Sequence, residues 1–268
     1  MNRLIATACA GLALTAPSFA RAQDAEAQEL AKKLSNPVAS LISVPLQFNY
    51  DCCFGPSDGA RYQLNVQPVV PVSVNQDWNL IIRTILPLID QNRTAPTVGS
   101  RQGLGDTTQS FFISPKTGSF VWAIGPAFLW PTGTDHLSAR QWGAGPTGVL
   151  LKQTGGWTFA VLANHIWSYA ESGGNPPAIS STFVQPVVSW TSPSATTLSI
   201  NTESTYNWKT KEWSVPVNLN VAHLYKFGSQ RVSLGGGLRV YAARDSTNGS
   251  SSGPDWGARF TATFLYPK

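Results

Sequence analysis

The residues able to do chemistry lie in two polar rows. Early in the chain Gln47, Asn49, Gln63, Asn65, Gln67, Asn79 and Arg83 recur at even spacings inside apolar segments. Late in the chain Asn201, Glu203, Asn207, Asn218, Asn220, Arg239 and Arg259 do the same. Most of these are amides, which donate and accept hydrogen bonds without strong charge selection. Such a lining suits a narrow polar path for neutral or weakly charged solutes. Alternatively, the groups satisfy one another and fill a closed interior.

Hydrolytic chemistry needs a nucleophile beside a base. The histidines are His136, His165 and His223. His165 lies near Ser168 in sequence, but its parity groups it with Trp157, Phe159 and Trp167, away from Asn164 and Ser168. A hydrogen-bonded interfacial histidine is therefore favoured over a general base. No H-E-x-x-H helix motif occurs, and Gly249-Ser250-Ser251-Ser252-Gly253 matches G-x-S-x-G only in letters, inside the serine-rich stretch 244–255 that reads as a solvated loop. Asp106, flanked by Gly103 and Gly105, reads as a strand-entry turn. No catalytic residue, metal or cofactor is expected. Cys52 and Cys53 are adjacent, so a vicinal or an intermolecular disulfide is open to them in an oxidising compartment.

The polar rows need elements of period two to position them. Ile42, Val44, Leu46, Phe48 and Tyr50 alternate with Ser43, Pro45, Gln47 and Asn49. Tyr62, Leu64, Val66, Val70 and Val72 oppose Gln63, Asn65, Gln67 and Ser73, and Trp78, Leu80, Ile82 and Leu86 oppose Asn79 and Arg83. Further segments run over 105–115, 119–130, 139–152, 157–169, 180–191, 196–208, 213–226, 231–243 and 256–266. The pattern predicts an all-β fold: a transmembrane antiparallel up-and-down β-barrel of about 12 strands, over residues 41–268.

Connector lengths alternate. Asn75-Gln76-Asp77, Lys116-Thr117, 153–156, 192–195 and 228–230 are tight, whereas 51–60, 88–104, 131–138, 170–179 and 244–255 are long. Residues 210–212 are the short exception in the long series. Barrels of this kind put short turns in the periplasm and long loops outside, so both termini are expected in the periplasm. The ten tryptophans cluster near strand ends, as an interfacial girdle requires. Pro45, Pro68, Pro71, Pro126, Pro146, Pro186 and Pro216 fall inside strands, predicting bulges or earlier strand ends.

The start of the chain reads as an export signal over residues 1–22. Arg3 precedes an apolar stretch over 4–16, and cleavage is expected after Ala20 or Ala22. Cys9 lies inside the apolar stretch, so lipidation is not expected. Residues 23–40 form an amino-terminal arm with a short helix, in which Leu30 and Leu34 share a face and Glu29 precedes Lys33 by four. The arm could dock in the periplasm or fold into the barrel mouth. Charged residues make up 12% of the chain, about half the usual fraction. The net charge of +5 falls to +3 once Arg3 and Arg21 are removed, too weak and scattered for nucleic acid. The expected surroundings are the outer-membrane lipid of a Gram-negative cell and a small-molecule solute.

The chain resembles a family of bacterial outer-membrane barrels described as transporter-like and as the MetA-pathway phenol-degradation family, some members of which carry the misleading label neuromedin U. The motifs are Asn36-Pro37-Val38-Ala39-Ser40-Leu41-Ile42-Ser43-Val44-Pro45-Leu46-Gln47, Leu64-Asn65-Val66-Gln67-Pro68, and Asp77-Trp78-Asn79-Leu80-Ile81 with Arg83-Thr84. Gly103-Leu104-Gly105-Asp106, Trp142-Gly143-Ala144-Gly145-Pro146, Asn164-His165-Ile166-Trp167-Ser168 and Tyr206-Asn207-Trp208-Lys209 follow in order. The resemblance runs over about residues 36–268. It implies an outer-membrane barrel and a link to uptake of aromatic or hydrophobic compounds; it assigns no residue a role. The expected function is passive passage of small molecules. The alternatives are a closed structural or adhesive barrel and a lipid-modifying barrel enzyme.

Overall fold

The computed structural model describes residues 16–94, 99–118, 120–244, 246–247, 250–251 and 253–266. Twelve spans form one closed antiparallel barrel. They are β1 (Ile42–Phe54), β2 (Gly59–Val66 and Val69–Ser73), β3 (Trp78–Asn92), β4 (Arg101–Leu104 and Thr107–Pro115), β5 (Val121–Trp130) and β6 (Gln141–Thr154). They continue as β7 (Trp157–Glu171), β8 (Ser180–Thr191), β9 (Thr196–Thr202 and Ser204–Asn207), β10 (Glu212–Phe227), β11 (Gln230–Ala243) and β12 (Trp256–Tyr266). Each pairs with its neighbours in sequence, and β1 closes the ring on β12 from Ile42 opposite Tyr266 to Cys52 opposite Trp256.

The period-two rows fix which face is which. Phe48, Tyr62, Val70, Val72, Leu198, Leu219 and Leu238 point outward. Ser43, Gln47, Gln67, Asn201 and Thr261 line the interior instead. An apolar outer face needs no hydrogen-bond partners in hydrocarbon, and closure leaves no unpaired strand edge. The tryptophans form two rims. Trp78, Trp122, Trp157 and Trp190 stand at the short-turn end, and Trp130, Trp142, Trp167, Trp208, Trp213 and Trp256 at the other. Neighbouring indoles meet edge to face, at 5.8 Å for Trp78 and Trp122 and 5.5 Å for Trp130 and Trp142.

Two expected loops are shorter than read. β1 and β2 extend through most of 51–60, leaving a single turn of 3₁₀-helix at Gly55–Ser57, and β3 runs on to Asn92. Cys52 and Cys53 consequently sit in a strand end, disulfide-bonded to one another. Cys53 takes a left-handed φ of 66° and sits at a one-residue bulge against β2. The prolines disturb the ladder less than expected. Pro216 sits at a register shift against β11. Pro68 interrupts β2, yet the same register resumes at Val69. Pro45, Pro71, Pro126, Pro146 and Pro186 stay in register. Close strand approach accompanies the facing pair Pro126 and Pro146, since a Cβ on Gly125 would lie 1.8 Å from the Phe111 carbonyl oxygen.

The amino-terminal helix, α1 (Ala16–Leu34), begins earlier than the expected 23–35 and runs through both expected cleavage positions. Residues 1–15 of the expected signal lie outside the described residues. The helix docks in the barrel mouth at the short-turn end. Ala27, Leu30, Ala31 and Leu34 pack on Leu41, Ala195, Leu224 and Leu265. The Gln28 amide donates to the Thr191 carbonyl at 3.3 Å, the Gln153 amide to the Lys32 carbonyl at 2.9 Å, and Arg231 pairs with Glu26 at 2.8 Å. The chain then turns inward. Val38 is buried against Ile81, Phe112, Ala123, Val149, Leu151 and Leu162, and Asn79 Nδ2 donates to Ser40 Oγ at 2.7 Å.

Candidate functional site in the barrel lumen

The inward rows converge on a column of charge. At the long-loop end Asp51, almost fully buried, accepts from the Tyr241 hydroxyl at 2.8 Å and from Arg61 at 3.1 Å. Arg239 approaches the other side of Asp51 at 3.6 Å and lies over the Tyr241 ring. Deeper, Glu203 receives two hydrogen bonds from Arg259, both 2.8 Å, with Arg239 at 3.8 Å. Arg259 Nε donates to Asn49 Oδ1 at 2.8 Å. Below them Arg83 Nη2 donates to Gln67 Oε1 at 3.0 Å. Three arginines thus share two carboxylates, with Arg83 beneath them, and the column carries a net positive charge. Charge-assisted, bidentate pairs of this kind hold their geometry well and survive partial desolvation.

Strand register sets these meetings. Asn49 stands opposite Arg259 across the β1–β12 closure, and Arg239 opposite Asn218 on β10. Glu203 sits in the gap between the two parts of β9, where its N–H reaches the Pro216 carbonyl. Gly237 supplies room, because a Cβ there would meet Asn220 Oδ1 at 2.3 Å.

The remaining expected residues divide by depth. Gln47, Gln67, Asn201 and Asn220 line a cavity of about 300 Å³ between the charged column and the docked arm. Asn218 Nδ2 donates to Asn201 Oδ1 at 3.0 Å, and Gln63 to Asn65 Oδ1 at 2.8 Å. Asn79 is taken up by the arm through Ser40. Asn207 corrects the expected row: its Oδ1 accepts from the backbone N–H groups of Lys209 and Thr210, capping a rim turn. Asp51, Arg61 and Tyr241 were missed. They continue the rows of Asn49, Gln63 and Arg239 by two residues; for Asp51 that signal is hidden when 51–60 is read as loop, whereas Tyr241 lies inside the expected strand 231–243. Of the expected residues, Glu203, Arg239 and Arg259 form the ion pairs within the lumen, while amides make up more of the cavity wall than charged groups do.

The other candidates take structural positions. His165 faces outward as its parity implied, with Nδ1 2.7 Å from Thr182 Oγ1, Nε2 3.4 Å from Ser180 Oγ and its ring 4.0 Å from that of Trp167. Its hydroxyl partners come from β8 and not from Ser168. Among the described residues no carboxylate contacts the imidazole, the group that would stabilise an imidazolium in a hydrolytic triad. Asp106 accepts from the backbone of Gly133 at 3.0 Å and Ala139 at 2.6 Å, pinning the loop over 131–138. Among the described residues no group of three or more histidine, cysteine or acidic side chains could hold a metal.

A closed twelve-stranded barrel with an apolar belt, tryptophan rims and a charged interior is an outer-membrane β-barrel. The family described as "Putative MetA-pathway of phenol degradation" matches residues 59–172. That match shows the resemblance read from the motifs, over a shorter stretch than 36–268. The crystal structure of the COG4313 outer membrane channel from Pseudomonas putida F1 superposes with a TM-score of 0.66 at 11% identity, covering 85% of this chain and 96% of that one. A NanC porin structure gives 0.48 at 13% identity, covering 83% and 98%. Outer membrane phospholipase A from Escherichia coli gives 0.45 at 10% identity, covering 90% and 98%. At 11% identity the likeness to the Pseudomonas putida channel is one of fold. No curated protein matches the chain in sequence.

Proposed function

We propose that the protein is a passive channel for small molecules across the outer membrane. The observation that carries this is the unfilled cavity of about 300 Å³ between the charged column and the arm. Eight-stranded barrels are filled by their own side chains, whereas this wider ring leaves room for a solute. The charged and amide rows give successive sites that exchange hydrogen bonds with a passing molecule, as a selective path requires. The fold is shared with the outer membrane channel from Pseudomonas putida, which supports this reading.

On this reading residues 1–22 are the export signal, and the mature chain keeps 23–40 as the arm closing the periplasmic mouth. A second reading, a permanently shut structural barrel, draws on that same arm, which is anchored by apolar packing and three polar contacts. Purified protein in planar bilayers, together with solute-driven swelling of liposomes, separates the two. The channel reading expects ion conductance and solute flux, each increased by deletion of 23–40. Absence of both in the full chain and in the deletion variant would reject it in favour of the shut barrel.

A further inference from the structure

The cavity beneath the charged column is asymmetric in chemistry. One side is apolar: Leu34, Leu41, Val69, Leu162 and Val187 contribute to it. The charged groups lining it are Lys33, Arg83, Glu203 and Arg259, an excess of two cations. Glu203 is not free to repel an anion at full strength, because Arg259 holds both its oxygens and Arg239 stands at 3.8 Å. Arg83 is different. Its guanidinium makes one hydrogen bond, to the neutral Gln67 amide; Glu203 acts on it only at longer range, and among the described residues no carboxylate forms a close ion pair with it. A guanidinium on a cavity wall with donors to spare matches a carboxylate in bidentate geometry. A further donor lies in the wall: the Ser189 hydroxyl is buried and has no partner within the protein.

Size narrows the ligand. A dry cavity of about 150 Å³ accepts benzene. The volume here is about 300 Å³, enough for one ring or a short branched chain with a carboxylate and a few waters. From the unpaired Arg83, the apolar wall and this volume, we infer that the cavity is a binding site for small amphipathic monocarboxylates. The carboxylate docks on Arg83, and the apolar body lies against Val69, Leu162 and the arm. This inference rests on the channel reading for its physiological sense, since it names the class of solute the path selects.

The test is binding in detergent micelles, where no transport takes place. Isothermal titration of the full chain at neutral pH uses benzoate and, as its uncharged counterpart, benzyl alcohol. Benzoate is expected to bind at least tenfold more tightly. Arg83→Gln is expected to abolish that preference and Arg83→Lys to restore part of it. Leu162→Trp, which fills the cavity while keeping every charge, is expected to weaken both ligands at least tenfold. Heat-modifiable gel migration verifies that each variant is folded, and should Arg83→Gln fail to fold, Leu162→Trp carries the test. Equal binding of the two probes, no binding of either, or unchanged benzoate affinity in a folded Arg83→Gln or Leu162→Trp variant would overturn the inference. Benzoate binding by a barrel that conducts nothing would reject the channel and leave this site standing. Conductance without benzoate binding would do the reverse.

Discussion

Arg259 grips Glu203 through two parallel hydrogen bonds of 2.8 Å, and its third donor direction is fixed by Asn49. The pair spans the lumen between β12 and β9. It therefore ties together strands that are not neighbours in the wall, while neutralising the one carboxylate that lines the cavity.

Replacing that carboxylate separates its two roles. Glu203→Gln leaves Arg259 and Arg239 without their shared counter-charge. Breaking a buried pair from one side costs about 3 kcal/mol. The variant is expected to unfold from lipid vesicles at lower urea concentration. In a potassium chloride gradient its reversal potential is expected to move toward that of chloride. An unmoved reversal potential would mean that ions do not pass Glu203.

Asp51 offers a comparison of burial. Its carboxylate is almost inaccessible and serves Tyr241, Arg61 and Arg239, whereas the Arg61 side chain remains about one-third exposed. Asp51→Asn is expected to cost about 3 kcal/mol. Arg61→Gln, removing a partly solvated partner, is expected to cost about 1 kcal/mol or less. Urea titration of the two variants side by side checks the order, which a purely surface electrostatic role would erase.

The arm should respond to apolar and polar changes very differently. Leu34 packs in the mouth and lines the cavity, so Leu34→Asp puts an unpaired charge against Leu41 and its neighbours. Single-channel conductance is expected to rise severalfold as the helix leaves its seat. Glu26 is mostly exposed, and Glu26→Gln removes an ion pair worth at most about 1 kcal/mol. Its conductance is expected to match that of the unmodified protein.

In the loop over 131–138, the Arg140 hydrogen bond and charge hold the Asp135 carboxyl below its ordinary value. A carboxyl depressed in the folded state favours that state above its unfolded pKa and ceases to do so as pH falls through the folded one. The contact is therefore expected to persist unchanged from pH 8 to pH 5 and to open only in stronger acid. The ¹³C chemical shift of the Asp135 carboxyl should titrate below the ordinary value of about 3.9. In Arg140→Gln it should return toward that value.

The barrel was legible because period two and connector length act locally: each strand announces its two faces without reference to its partners. The same parity placed His165 outside and Arg259 inside. What meets across the lumen was not legible. The contact of Arg259 with Glu203 depends on how twelve strands close, and no spacing along the chain encodes that distance. Asp51 escaped for a simpler reason: turn-forming residues over 55–59 masked a strand end that continues further into the rim. Tyr241 lay inside the expected strand 231–243, but its largely apolar ring did not read as part of a polar row. The prolines misled in the opposite sense, since a missing N–H removes a ladder bond without shifting the register at Pro68 or Pro126.

Residues 35–41 are all that lies between the end of α1 and the first residue of β1. Fully extended, such a stretch reaches about 25 Å. The helix is thus a stopper on a leash. Dislodged by voltage, by solute or by mutation, it stays at an effective concentration in the millimolar range beside its own seat. In the proposed channel, opening would consequently be self-limiting, and reclosure would be a single-molecule event whose rate is independent of protein concentration.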